Sequence, residues 1–207
     1  MSAVVDRPER ALVIGCGALA SEIGDVIARN SLDAIDVEYL PATLHNRPER
    51  IAAAVEERLR RAVTTHDHVF VAYADCGTGG ELDRVLERYG VERLDGAHCY
   101  EFFAGPGRFA GLADEEPGTF YLTDFLAKHF DRLVWTGLGL DRHPELLTAY
   151  FGNYRRVVLL AQTDDPVVTR RAEAGAARLG LPLERIDVGY GSVEPALVTI
   201  ASRKEVA

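Results

Sequence analysis

The strongest pattern along the chain is an apolar, β-branched and aromatic run, His68-Val69-Phe70-Val71-Ala72-Tyr73-Ala74, that ends in Asp75-Cys76-Gly77-Thr78-Gly79-Gly80. A run apolar on both faces is what a strand buried inside a parallel sheet requires. From Glu81 to Tyr89 the period becomes helical, with Leu82, Val85 and Leu86 on one face, so the glycine-rich stretch is a strand-to-helix turn. The same alternation recurs on either side. Ala11–Gly15 reads as a strand and Leu19–Arg29 as a helix with Ile23, Val26 and Ile27 apolar. Ala34–Leu40 reads as a strand and Glu49–Val63, opened by Pro48, as a helix with Ile51, Ala54, Val55, Leu59 and Ala62 at helical spacing. Val91–Leu94 is a short strand.

From Pro106 to Asn153 the character changes. Pro117-Gly118-Thr119 breaks the chain, Thr123 caps a helix Asp124–Phe130, and His143–Phe151 reads as another. The segment predicts a helical insertion or lid, with its aromatics (Phe120, Tyr121, Phe125, Phe130, Trp135, Tyr150, Phe151) as packing. The polar pair Asp141 and Arg142 reads as a helix cap with a solvated ion pair. The strand–helix pattern then resumes with strand Arg156–Ala161, helix Val167–Leu179 closed by Gly180, Leu183–Val188 and a last element Pro195–Ala201. The expectation is a single α/β domain over residues 1–207. It would hold a mostly parallel Rossmann-like sheet with helices on both faces and an inserted helical segment at 106–153.

Composition narrows the function. The 207 residues, 47% of them hydrophobic, suffice for a full core, and a formal net charge of −9 argues against general nucleic-acid binding. The polar stretch Met1–Arg10 has no signal-type apolar core, and no run is long enough to cross a membrane. Three widely spaced cysteines suit a reducing compartment, which makes the cytoplasm the expected location and free thiols or metal ligands the expected roles.

Each cysteine falls at the carboxyl end of an expected strand, where α/β sheets collect ligands. Cys16 lies in Gly15-Cys16-Gly17-Ala18-Leu19-Ala20, Cys76 in the turn above, and Cys99 just past Val91–Leu94. His45 lies on the loop after the second strand, facing the same edge. Three single ligands from three loops resemble a catalytic metal arrangement with one position left for substrate or water. Zinc would take Cys16, Cys76 and Cys99 with His45 or His98 completing the shell, whereas a cubane iron–sulfur cluster would use the three thiolates alone. The residues do not choose between them.

Two metal-free readings stand beside this. Gly15-Cys16-Gly17-Ala18-Leu19-Ala20 fits the dinucleotide fingerprint G-x-G-x-x-A, with Gly15 and Gly17 approaching a cofactor and Glu38 as ribose acceptor. Alternatively Cys76 is a nucleophile, with a nearby histidine as base, Asp75 in the same turn, and the amides of Gly77, Thr78, Gly79 and Gly80 as anion donors. Helix N-termini after Cys16 and Cys76 would lower their thiol pKa values.

Five ordered stretches carry a resemblance: Gly15–Leu19, Leu44-His45-Asn46 with Pro48, Tyr73–Gly80, His98-Cys99-Tyr100-Glu101-Phe102-Phe103-Ala104-Gly105, and Leu138-Gly139-Leu140-Asp141-Arg142-His143-Pro144-Glu145. Together they resemble the bacterial and archaeal family catalogued as domain of unknown function 1638. Position 74 is alanine where that family's pattern has glycine. The resemblance implies Cys16, Cys76 and Cys99 as ligands, with His45, His98 and Glu101 as polar neighbours. It also implies an association with corrinoid-dependent methyltransferase systems that use methylamines or betaines. The resulting expectation is a metal-dependent enzyme or accessory factor acting on a small molecule in one-carbon metabolism, with a corrinoid protein or methyltransferase as partner. A non-catalytic metal or corrinoid carrier, or a maturation partner, is the rival.

Overall fold

The computed structural model describes residues 10–203; apart from Arg10, the polar stretch before Ala11, like the last four residues of the polar tail, lies outside the described residues. The chain forms two compact units, residues 1–102 with 192–207 and residues 103–191, each considered by itself.

In the first unit, β1 (Ala11–Cys16) is buried at every position, which explains its unbroken apolar sequence. It is followed by α1 (Ala20–Asn30), β2 (Ile35–Leu40), α2 (Ile51–Ala62), β3 (His68–Ala72), α3 (Glu81–Tyr89), the two-residue β4 (Glu92–Arg93) and α4 (Cys99–Ala104). The strands form a parallel sheet in the order β2-β1-β3-β4. Ile23 and Val26 of α1, Val55 and Leu59 of α2 and Leu82 of α3 are buried with Val13, Ile14 and Val71 of the sheet. The apolar stripes of these helices therefore face a common interior.

In the second unit, α5 (Pro106–Glu115), β5 (Thr119–Thr123), α6 (Asp124–Lys128), α7 (Leu146–Phe151), β6 (Arg156–Ala161), α8 (Pro166–Leu179) and β7 (Leu183–Asp187) build a second parallel sheet, β5-β6-β7. Leu122, Phe130, Phe151, Val157, Leu159, Val168 and Ala172 form its core, with Phe120 and Trp135 against it. The buried Asp124 accepts the amides of Gln162 and Thr163 and the Thr163 hydroxyl, while its own amide donates to Gln162, which ties the ends of β5 and β6 together. The exposed Asp141 and Arg142 form the expected ion pair, 4.0 Å apart.

The chain then returns to the first unit as α9 (Val193–Ser202), which packs on α1 and β3 and buries Val193, Leu197 and Ile200. The Ser192 amide donates to the Phe102 carbonyl at 2.9 Å, so the residues where the chain leaves and re-enters this unit are neighbours.

The α/β class and parallel strands match the sequence reading; the single sheet and the purely helical insertion do not. Pro117-Gly118 does not interrupt a helical segment but opens β5: the Gly118 carbonyl accepts from the Arg155 amide at 2.7 Å, and Thr119–Thr123 then pairs with β6 residue by residue. The segment 106–153 is thus woven into a second sheet. Among the described residues, no helix is long and apolar enough to cross a membrane.

Candidate functional site

The four strands of the first unit each deliver a side chain to the carboxyl edge of its sheet. In spatial order β2 leads to His45, β1 ends in Cys16, β3 runs through Tyr73 into Cys76, and β4 leads to Cys99. The edge where parallel strands end is where such folds hold ligands.

Cys16 is the last residue of β1 and 3% exposed. It caps the tight turn Gly17–Leu19, its sulfur accepting the Ala18 amide at 3.3 Å. The Nδ1 atom of His45 lies 3.6 Å from that sulfur and 3.3 Å from the Ala42 carbonyl. The ring of Tyr73 stacks on His45, with centroids 6.1 Å apart and planes 14° from parallel, and its hydroxyl interacts with the Cys16 sulfur.

Cys76 has φ = +51°, a left-handed conformation shared, among the described non-glycine residues, only with Ser31. Such a conformation is uncommon for a residue with a Cβ and persists only where its surroundings impose it. Here they do: the Asp75 and Cys76 amides donate to the Gly96 and Ala97 carbonyls at 3.0 and 2.8 Å. Asp75 then closes the turn, accepting the Thr78 hydroxyl at 2.6 Å and the Gly80 and Gly79 amides at 2.9 and 3.2 Å. Gly77 and Gly79 follow at φ +83° and +63°.

Cys99 opens α4 rather than lying on a loop. Backbone amides of Cys99 and Tyr100 meet its sulfur. The loop between β4 and α4, whose Gly96 and Ala97 carbonyls hold the Cys76 turn, is braced twice: Glu101 accepts the Ala97 amide at 2.7 Å, and the Arg93 guanidinium donates to the Leu94 and Gly96 carbonyls.

The three thiols lie within electrostatic reach of one another, and all are shifted upward. Burial pushes the Cys16 thiol up against the opposing Ala18 amide. Burial, followed by the charge of Cys16, pushes Cys76 up to about 12. Burial and then the charges of Cys76 and Cys16 raise Cys99. The helix ends therefore do not produce thiolates here, because desolvation outweighs them. Desolvation also holds the His45 imidazole below its ordinary range, although the residue as a whole is exposed. At Asp75 desolvation raises the carboxyl, but the Thr78 hydroxyl and the Gly80 and Gly79 amides together hold it low.

Several expected roles are filled otherwise. Asp75 and Glu101 are engaged by loop backbone and act as braces. The amides of Gly79 and Gly80 serve Asp75 and that of Thr78 serves the Asp75 carbonyl, so they do not form an anion cradle. A Cβ on Gly15 would meet Ile23 Cδ1 at 2.9 Å, and one on Gly17 the Leu40 carbonyl at 3.0 Å. Both glycines thus make room for the chain itself, and Glu38 pairs with Arg58 at 3.3 Å. The histidine beside a thiol is His45, and the thiol is Cys16 rather than Cys76. His98 packs its ring on Tyr100, with centroids 5.2 Å apart.

Two residues at this edge escaped the sequence reading. Tyr73 ends an apolar run, where tyrosine reads as core. Glu22, 4% exposed on the first turn of α1, acts electrostatically on Cys16 and Tyr39; a carboxylate one turn into an amphipathic helix gives no distinguishing signal.

The donor set suits a soft cation, since thiolates that repel one another in a buried place are stabilised by positive charge among them. Among the described residues, no three His, Cys, Asp or Glu side chains already stand as a ligand group. Loading would have to draw the sulfurs inward.

Comparison with curated proteins and with solved structures returns no match. A family model does match, over residues 39–197. That span contains His45, Tyr73, Cys76 and Cys99, while Cys16 lies ahead of it. With most of its length matched, including three of the four strand ends that form this edge, the chain belongs to the family described as "Protein of unknown function (DUF1638)".

Proposed function

We propose that the first unit binds a thiolate-seeking metal centre, zinc or a cubane iron–sulfur cluster, through Cys16, Cys76 and Cys99. The protein would serve as a cytoplasmic enzyme or accessory factor acting on a small molecule. One observation carries this reading: all three cysteines of the chain stand at or past the ends of three different strands along one sheet edge, near enough that the charge of Cys16 raises Cys76 and the charges of both raise Cys99. The centre would supply Lewis acidity, or an open iron, at the position not taken by protein sulfur.

The chain's own residues do the rest. The Ala18 amide and the amides at the start of α4 face the Cys16 and Cys99 sulfurs and favour their ionised forms. Asp75, Glu101 and Arg93 fix the turn that carries Cys76. His45, kept neutral, is placed to accept the proton that leaves Cys16. In the setting that the family resemblance implies, the partner is a corrinoid protein or a methyltransferase of one-carbon metabolism.

The test is anaerobic purification followed by metal and sulfide analysis and an absorption spectrum. Stoichiometric zinc, or iron with equal sulfide and a broad visible band, is the expected result, with loss of the centre in Cys76→Ser and in Cys99→Ser. Full metal content in either variant would overturn the ligand assignment. A second reading rests on the Cys16–His45 contact: metal-free thiol chemistry with His45 as base. It would be favoured if the metal-free protein were alkylated at Cys16 and if His45→Gln slowed that reaction.

A further inference from the structure

In the second unit a groove of about 180 Å³ runs between α6 and α8, with charged side chains over an apolar floor. Ala127 and Phe130, 1% and 5% exposed, form that floor with Gly175, where a methyl group would meet the Phe130 ring at 2.9 Å. On α8, Arg171, Ala174, Gly175 and Arg178 follow the i, i+3, i+4, i+7 spacing of a single helix face. Two cations thus bracket two small residues, and Lys128 and Asp131 complete the lining from the other side. Three positive charges meet one negative, an excess of two in a chain whose formal net charge is −9.

The fold leaves donors over in this groove. The Arg178 guanidinium lies over the Trp135 ring, 3.8 Å from its centroid, and donates from Nη1 to Asp131 at 2.5 Å. It is held in place while Nε and Nη2 stay unused among the described residues, so the guanidinium fork is ordered in advance. Lys128 stands 3.8 Å from Asp165, whose carboxylate already accepts the Val167 amide as the cap of α8. Among the described residues, Arg171 makes no hydrogen bond or ion pair. Packing accounts for Arg178 but not for the second guanidinium and the ammonium gathered around the same floor. The positive field reaches beyond the groove: burial, followed by the charges of Arg132 and Lys128, holds the His129 imidazole below its ordinary range.

We propose that this groove binds the phosphoryl group of a small molecule, with Arg171 and Arg178 donating from α8 and Lys128 from α6. A phosphoryl dianion neutralises the excess of two, and its oxygens match the guanidinium fork. The apolar floor keeps water from one side and so strengthens the attraction. The volume falls below the roughly 300 Å³ at which drug-sized sites begin, so the groove takes the phosphoryl group and leaves the rest of a larger ligand outside. Asp131 and Asp165 interrupt the positive surface that a nucleic-acid strand would need. The site is independent of the thiols and of any metal they bind.

Trp135 is the single tryptophan of the chain, and its contact with Arg178 makes it a reporter for this groove. The test titrates the full chain at constant ionic strength with orthophosphate, methyl phosphate, succinate and a thymidine oligonucleotide, reading Trp135 emission and heat. Binding of a phosphate with a change in Trp135 emission is expected, and the tighter of the two phosphates tells a free phosphoryl group from an esterified one. Arg171→Gln and Lys128→Gln should each weaken that binding by roughly tenfold or more, the range for a hydrogen bond to a charged group. Arg170→Gln, exposed one position away on α8 and outside the groove, should leave it unchanged. An equal loss in Arg170→Gln would reduce the effect to net charge and overturn the site. So would succinate binding as tightly as the phosphates, the oligonucleotide binding more tightly than either, or no response of wild type in either signal up to about 10 mM phosphate.

Discussion

Three thiols raised together make stability a function of pH in a direction opposite to that of paired carboxylates. A thiol whose pKa is higher folded than unfolded keeps its proton longer in the folded chain. Its contribution is complete below the unfolded value and disappears as pH rises through the folded one. For Cys76 that window runs from 9.0 to about 12, and Cys16 and Cys99 shift in the same direction. The urea midpoint of the metal-free protein should therefore hold steady through neutrality and fall from about pH 9 upward. In the triple variant Cys16→Ser, Cys76→Ser, Cys99→Ser the fall should be shallower. Equal slopes would mean that the thiols are solvated. A bound cation reverses the relation, since it requires the thiolates and is displaced by protons.

At the scale of elements, the β1–α1 pair allows two glycine substitutions of opposite sign. A methyl group on Gly15 meets Ile23 and the Tyr39 ring in a packed interior, whereas one on Gly24, exposed in the middle of α1, meets nothing within 4 Å. Gly15→Ala should cost about 1–3 kcal/mol through overpacking. Gly24→Ala should stabilise by about 0.5–1 kcal/mol through helix propensity and a less flexible unfolded chain. Chemical denaturation of the two variants checks both signs, and a neutral Gly15→Ala would show that Ile23 can yield.

The same scale shows what the sequence could and could not reveal. β1, β3 and β6 were legible because burial on both faces leaves continuous apolar runs. α3 was legible because Leu82, Val85 and Leu86 recur at helical spacing. By contrast, α5 buries none of its residues and so carries no stripe to find, and α4 spans six residues, too few for a period to emerge. β5 was lost because the Pro117-Gly118 turn in front of it reads as a breaker of helices. The cysteines and His45 were found because strand ends at a parallel-sheet edge collect chemistry. Tyr73 was not, because a buried tyrosine directly after an apolar strand reads as core, and only the fold brings its hydroxyl to the Cys16 sulfur.

At the scale of the whole molecule, the two sheets have separate cores, so damage to one should not spread evenly. Leu197 of α9 is fully buried in the first unit. Leu197→Ala should cost that unit about 2–5 kcal/mol. The expected outcome is a thermal transition split in two, with amides of β5 and β6 still protected from hydrogen exchange after those of β1 and β3 have exchanged. A single transition lowered as a whole would show that the units unfold as one.

All four strands of the first sheet lie within the first 93 residues, yet the helix that covers β3 and α1 comes from residues 193–202. During synthesis, the half that is translated first must wait for the half translated second. The later unit can close as soon as β7 leaves the ribosome, while the thiol-bearing unit stays unfinished until α9 has emerged as well. A mature thiol site would thus mark a chain translated past α9.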